Sequence, residues 1–115
     1  DQQRMTLARR LGTHKRQLVD AVALMEQNLD TPLSLEELAK RCRVSLRQLQ
    51  RLFEQELSTS PRAWYLRLRL ERARHLLKET DLDILSVGLS SGFTSSSSFS
   101  RAYRNHFGHS PRQTR

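Results

Sequence analysis

With a single cysteine, Cys42, the chain cannot close an internal disulfide. Cys42 falls at an apolar position of a helical pattern, where a free thiol is expected to serve as buried filler. His106 and His109 stand three apart, as some metal ligands do, but no further Cys/His cluster joins them, so neither a closed tetrahedral metal site nor a cofactor is expected. No apolar run approaches the ~20 residues of a membrane helix, and the polar N-terminus lacks the apolar centre of a signal peptide. A cytoplasmic protein without membrane partners is expected. Acidic residues are also missing from everything after Asp83.

What is present is positive charge. Lys and Arg number 20 against 12 Asp and Glu, a net of +8 in 115 residues. A polyanion is the obvious partner. The length allows one domain of ordinary size with a small hydrophobic core.

One stretch organises the rest. Ser60 to Thr80, SPRAWYLRLRLERARHLLKET, predicts a long helix over 60–79, capped by Ser60 with Pro61 at the first helical position. Trp64, Leu68, Ala73, Leu76 and Leu77 recur at helical spacing as an apolar stripe, and Arg62, Arg67, Arg69, Arg72 and Arg74 make the remainder basic. At about 1.5 Å per residue it reaches roughly 28 Å, approaching the ~34 Å between successive turns of one face of a DNA duplex.

Related sequence flanks this helix on both sides. From Ser45 onward the two flanks align at an offset of fifty, pairing Ser45 with Ser95, Leu49 with Phe99, Phe53 with Tyr103, Leu57 with Phe107, and Ser60-Pro61-Arg62 with Ser110-Pro111-Arg112. Upstream the offset is forty-nine. One unit, used twice and joined by a helix, accounts for this.

In chain order, residues 1–14 are polar and basic with a break at Gly12, and read as a linker tail. Residues 15–115 read as the folded domain. Leu18, Val22, Met25 and Leu29 mark a first amphipathic helix, ended by Asp30-Thr31-Pro32. Unit one spans 34–58. Ser34 with Glu37 predicts a capping box opening a short helix that buries Leu35, Leu38, Ala39 and Cys42. Arg43-Val44 turns the chain, and Ser45 caps a second helix with Leu49, Leu52, Phe53 and Leu57 inward. Helix, tight turn and capped helix make a helix-turn-helix. Unit two spans 83–108, with Asp83 as cap, Ile84, Val87 and Gly88 inward, Gly92-Phe93 as turn and Ser95 as the second cap. The run Ser95–Ser98 has the composition of a linker. Phe93, Phe99, Tyr103 and Phe107 around it argue for a helix instead.

The outward face of the second helix suits a major groove. Arginine can bind guanine O6 and N7 together and glutamine can match adenine N6 and N7, and Arg47, Gln48, Gln50 and Arg51 supply both chemistries. Their counterparts Ser97, Ser98, Ser100 and Arg101, preceded by Ser96, have shorter arms, so the second half-site is expected to be read less stringently. Lys40, Arg41, Arg43, Ser45, Ser95 and Arg104 are candidate phosphate contacts.

The pattern Ser45…Leu49…Phe53…Ser60-Pro61, Arg69…Ala73…Leu76-Leu77, Thr80, Ile84, then Gly92-Phe93…Ser95…Phe99-Ser100-Arg101…Gly108…Ser110-Pro111 resembles the DNA-binding domain of AraC/XylS-family bacterial transcription regulators. The resemblance covers roughly residues 18–115. It implies an all-α, homeodomain-like fold with two helix-turn-helix units, whose recognition helices enter adjacent major-groove segments of a double-stranded operator. It places base reading on Arg47, Gln50 and Arg51 and on Ser96, Ser97, Ser100 and Arg101. It further implies a regulator, activator or repressor, in the bacterial cytoplasm, at the nucleoid, acting with RNA polymerase and with an effector ligand bound by a separate N-terminal domain. Four positions depart from the pattern: Ser58 for a glycine, Gly88 for an alanine, Trp64 for a tyrosine, and Thr114 for an aromatic residue.

Two other classes weigh less. A non-specific architectural binder would share the charge without needing two capped helices with base-reading faces. An enzyme would need Cys42 as an acceptor, as in DNA-repair alkyltransferases that carry similar domains, but no adjacent His or acidic partner activates it. No enzymatic activity is expected.

Overall fold

Short polar residues punctuate the chain and start its helices. The computed structural model describes residues 2–115. Among them the chain forms α1 (Gln2–Leu11), α2 (Arg16–Gln27), α3 (Leu35–Arg41), α4 (Leu46–Leu57), α5 (Pro61–Glu79), α6 (Ile84–Ser90), α7 (Ser96–Phe107) and α8 (Pro111–Thr114), with no strand. Each helix from α3 onward opens on a Ser or Asp whose side-chain oxygen accepts the N–H three residues on. Such a cap satisfies one of the orphan donors of a helix start and contributes about 1 kcal/mol.

Two compact units result. The first comprises Leu33–Tyr65 with the residues up to Asn28. At its centre α2 presents Leu18, Ala21, Val22 and Met25, all 0% exposed, to Leu38 of α3 and to Leu49 and Phe53 of α4. Leu29, expected to extend the α2 stripe, lies beyond the helix. At Ser34 only half of the expected capping box forms, because the Glu37 carboxylate turns to Arg41 Nε at 2.8 Å instead. Tyr65 of α5 closes the unit from below its turn: its hydroxyl donates to the Asn28 carbonyl and accepts from Leu33 N–H.

Within residues 1–14, expected to form a linker tail, α1 is helical and packs on α2. Leu7 is 5% exposed, Arg4 pairs with Asp20, and Arg10 reaches Glu26 at 3.4 Å. One buried leucine makes no periodic stripe, so the helix is invisible to a pattern search. Gly12, at φ +72°, ends it. The buried Thr13 hydroxyl then donates to Glu56 of α4 at 2.6 Å. Asp1 lies outside the described residues.

The second unit comprises Leu29–Pro32 and Leu66–Arg115. Leu70, Ala73 and Leu77 of α5 pack with Val87 of α6 and with Phe99 and Tyr103 of α7. Phe93, Phe99, Tyr103 and Phe107 form a chain of rings with centroids 5.2, 5.7 and 4.6 Å apart, within the range favoured by tilted and edge-on pairs. These rings hold the serine-rich segment as the first turn of α7. The predicted α5 stripe is only partly right: Tyr65, Leu70, Ala73 and Leu77 are buried, while Trp64, Leu68 and Leu76 are half-buried. The helix serves one core with its first residues and another with the rest, so no single stripe describes it.

Candidate nucleic-acid interface

The two helix-turn-helix units are built to the same measure. α3 and α6 are 7 residues long, and α4 and α7 are 12. Each turn has a left-handed residue at the same place, Arg43 at φ 59° and Gly92 at φ 88°. Each closes with the same backbone bond, Val44 N–H to Ala39 O at 3.0 Å and Phe93 N–H to Gly88 O at 2.9 Å. α4 and α7 both end on a left-handed residue, Ser58 and Gly108.

On α4, burial of Leu49 and Phe53 turns Arg47, Gln50 and Arg51 outward, and all three are exposed. Gln48, expected among the base readers, is exposed, and its side-chain oxygen accepts Ser45 N–H at 2.9 Å while Ser45 Oγ accepts Gln48 N–H at 3.1 Å. This reciprocal box also occupies the amide and hydroxyl of Ser45, which was expected to hold a phosphate. Lys40 and Arg43 are exposed beside it. Arg41 is exposed but paired with Glu37, whose carboxyl is held below its ordinary value by that bond.

On α7, Ser96, Ser97, Arg101 and Arg104 are exposed and Ser100 is half-buried, opposite Phe99 and Tyr103. Ser95 Oγ accepts Ser98 N–H and donates to Ser98 Oγ at 2.9 Å, so this expected phosphate ligand also serves a cap. Ser96, Ser100 and Arg104 line an open recess of about 580 Å³ together with Asp83, Ser110 and Arg112. Arg101 lines a separate recess with Asn105 and His106.

Sequence reasoning missed what the arginines of α5 do. Arg69 Nε and Nη2 donate to the carbonyls of Ser91 and Gly92 at 3.1 and 2.7 Å, and Arg72 Nε donates to Ser90 O at 3.0 Å. The Arg69 and Arg74 guanidinium carbons lie 4.3 and 4.5 Å from the ring centroids of Phe93 and Phe107. Arg115 donates to the Leu77, Thr80 and Leu82 carbonyls at the end of α5. These four guanidiniums therefore act inside the second unit.

Around Cys42 burial and the Asp20 charge outweigh the opposing pull of Arg4. The thiol is buried, and burial followed by the nearby Asp20 charge pushes its pKa up, away from the reactive thiolate. Among the described residues no three His, Cys, Asp or Glu side chains come together as a metal site, and no helix is long and apolar enough to cross a membrane.

A duplicated helix-turn-helix with an arginine-bearing connecting helix defines the class, and the chain belongs to the AraC-type helix-turn-helix family. The family model described as a helix-turn-helix domain matches residues 38–115. The crystal structure of a transcriptional regulator with an AraC-type DNA-binding domain from Chromobacterium violaceum is 50% identical with a TM-score of 0.82, over 86% of this chain and 88% of that one. Along its whole length the chain is 48% identical to the transcriptional regulator ArgR of Pseudomonas aeruginosa, of which it spans 35%. The DNA-binding domain of the global transcriptional factor AdpA, solved in complex with a target DNA, is 28% identical with a TM-score of 0.79, over 84% of this chain and 86% of that one.

Proposed function

We propose that the chain is the sequence-specific, double-stranded-DNA-binding part of a bacterial transcription regulator, with α4 and α7 each entering one major-groove segment of an operator. The observation that carries this is the duplication itself: two capped helices of equal length, each holding a polar row off an apolar core. The likeness to a domain solved on its target DNA supports it. Arg47, Gln50 and Arg51 read bases in the first half-site, and Ser96, Ser97, Ser100 and Arg101 in the second. Lys40, Arg43 and Arg104 contact phosphates, and Arg41 joins them if the duplex draws it from Glu37. The first half-site is the more stringently read, because serine reaches only close bases, phosphates or bridging water.

The chain spans about a third of the length of the curated relatives it matches. We assign effector binding to a separate N-terminal domain, and place the whole protein in the cytoplasm, at the nucleoid, as a regulator working with RNA polymerase. It acts by binding rather than by catalysis.

Selection of bound sequences from a random DNA library tests the reading, repeated with Arg47→Ala and Arg101→Ala. The expected result is a motif of two boxes about one helical turn apart, with each variant relaxing a different box by about 1–3 kcal/mol at the affected position. Bound DNA without a motif would overturn sequence-specific reading. With these three or four phosphate contacts the log–log salt slope is roughly −3 to −4, and a slope near zero would remove the polyanion altogether.

A further inference from the structure

The carbonyls at the turn of the second helix-turn-helix are held from α5. Ser90, Ser91 and Gly92 are consecutive residues at the C-terminal end of α6, where backbone oxygens lack intrahelical partners. Arg72 takes the first, and the fork of Arg69 takes the other two. Arg69 also lies over the ring of Phe93, the next residue, which packs against Phe99 inside α7. The site is shaped for this guanidinium, since a Cβ on Gly92 would stand 2.8 Å from Arg69 Nε. A planar fork with several fixed donors can bridge two carbonyls while stacking on a ring, which an ammonium cannot. In the first unit the turn is held from its own helix, with the N–H groups of Arg43 and Val44 donating to the α3 carbonyls of Lys40 and Ala39.

We infer that Arg69, assisted by Arg72, is a positioning residue for DNA recognition: it sets the direction in which α7 leaves its turn and thereby the aim of Ser97, Ser100 and Arg101 at the second half-site. This rests on the DNA-reading function proposed above. Arg69 is therefore not a phosphate contact, in spite of its place on a basic helix. The short arms of the α7 serines sharpen the requirement, because a side chain that reaches only adjacent atoms tolerates little error in the helix that carries it.

The test uses the full chain with Arg69→Ala, Arg69→Lys and the milder Arg72→Gln. Two readouts are taken: amide hydrogen exchange across residues 92–98 without DNA, and half-site-resolved binding to the selected operator with its salt dependence. Arg69→Ala and Arg69→Lys are both expected to speed exchange at the turn and first turn of α7. Both should lower discrimination at the second box by about tenfold, the lower range for one bidentate base contact, with the first box and the salt slope unchanged. Arg72→Gln should show the same pattern more weakly. If Arg69→Ala weakens all sequences alike and reduces the salt slope by about one while Arg69→Lys restores both, Arg69 is a phosphate contact and the inference fails. It fails equally if exchange at 92–98 is unchanged. Should Arg69→Ala not fold, the Lys and Gln variants decide by the same criteria. If exchange quickens as expected but the unaltered chain selects no two-box motif, it is the DNA-reading function that has failed, and the fastening of the turn stands.

Discussion

Replacing Gly92 by alanine probes how the second turn is built, and the structure supplies the size of the effect. Gly92 sits at φ +88°, where an L-residue pays about 1–2 kcal/mol. An added Cβ would also meet the Leu29 carbonyl oxygen at 2.5 Å, Pro32 Cγ at 2.7 Å and Arg69 Nε at 2.8 Å. The first of these is backbone, so relief requires the chain to move, and overpacking of this kind costs about 1–3 kcal/mol more. Together that is roughly 2–5 kcal/mol, a large part of the 5–15 kcal/mol that stabilises a typical domain. Gly108 provides the control: its φ is +82°, but nothing lies within 4 Å of its Cβ position. Gly108→Ala should therefore cost only the strain, about 1–2 kcal/mol. Urea unfolding of the two variants measures the difference directly. Equal losses for Gly92→Ala and Gly108→Ala would refute the claim that crowding, rather than backbone conformation alone, reserves position 92 for glycine.

Ser58 holds the left-handed C-cap of α4 without being glycine, at φ 57°; Ser58→Gly should raise stability by about 1 kcal/mol, read as a higher urea midpoint at unchanged slope. Tyr103 is 0% exposed, and its hydroxyl shares a hydrogen bond with Thr114. Thr114→Val should cost about 1–3 kcal/mol by stranding that hydroxyl, and adding Tyr103→Phe should recover much of the loss in thermal melts. Asp83 caps α6 through bonds from Ser86, aided by the Arg115 charge, which hold its carboxyl below the ordinary value of 3.8. Because the folded state binds this proton less readily than the unfolded one, the stabilisation is full above that value and is lost as the pH falls through it and below. Asp83→Ala should flatten the acid limb of a stability–pH curve; an unchanged limb would show that the cap is not titrating.

The helices and caps were legible because both rest on local rules. An apolar residue every third or fourth position and a serine before it suffice to place α4 and α7. The turn at Arg43-Val44 was legible from the helices on either side, but the left-handed conformation of Arg43 was not, because an arginine gives no sign of a positive φ. α1 was hidden by having one buried side chain, Leu7, and by depending on ion pairs to α2. At the interface, Arg47, Gln50 and Arg51 stand exposed as their spacing requires. Gln48 has the right chemistry for a base, and its side-chain oxygen also caps α4. The α5 arginines deceived for another reason. Their partners are backbone oxygens 18 to 23 residues away, and a carbonyl carries no mark in the sequence.

The equal length of α4 and α7 has a consequence for how such a molecule changes its target. Counting from the capping serine, residue for residue, the two helices are mounted alike, so a side chain set at one position in either stands at the same height above its own support. On the proposed assignment, the three letters Arg47, Gln50 and Arg51 can be set into positions 97, 100 and 101 without rewriting the scaffold beneath them. The domain is a holder with two interchangeable slots, and new operators are reached by changing the type in the slots while the caps, turns and core remain standing.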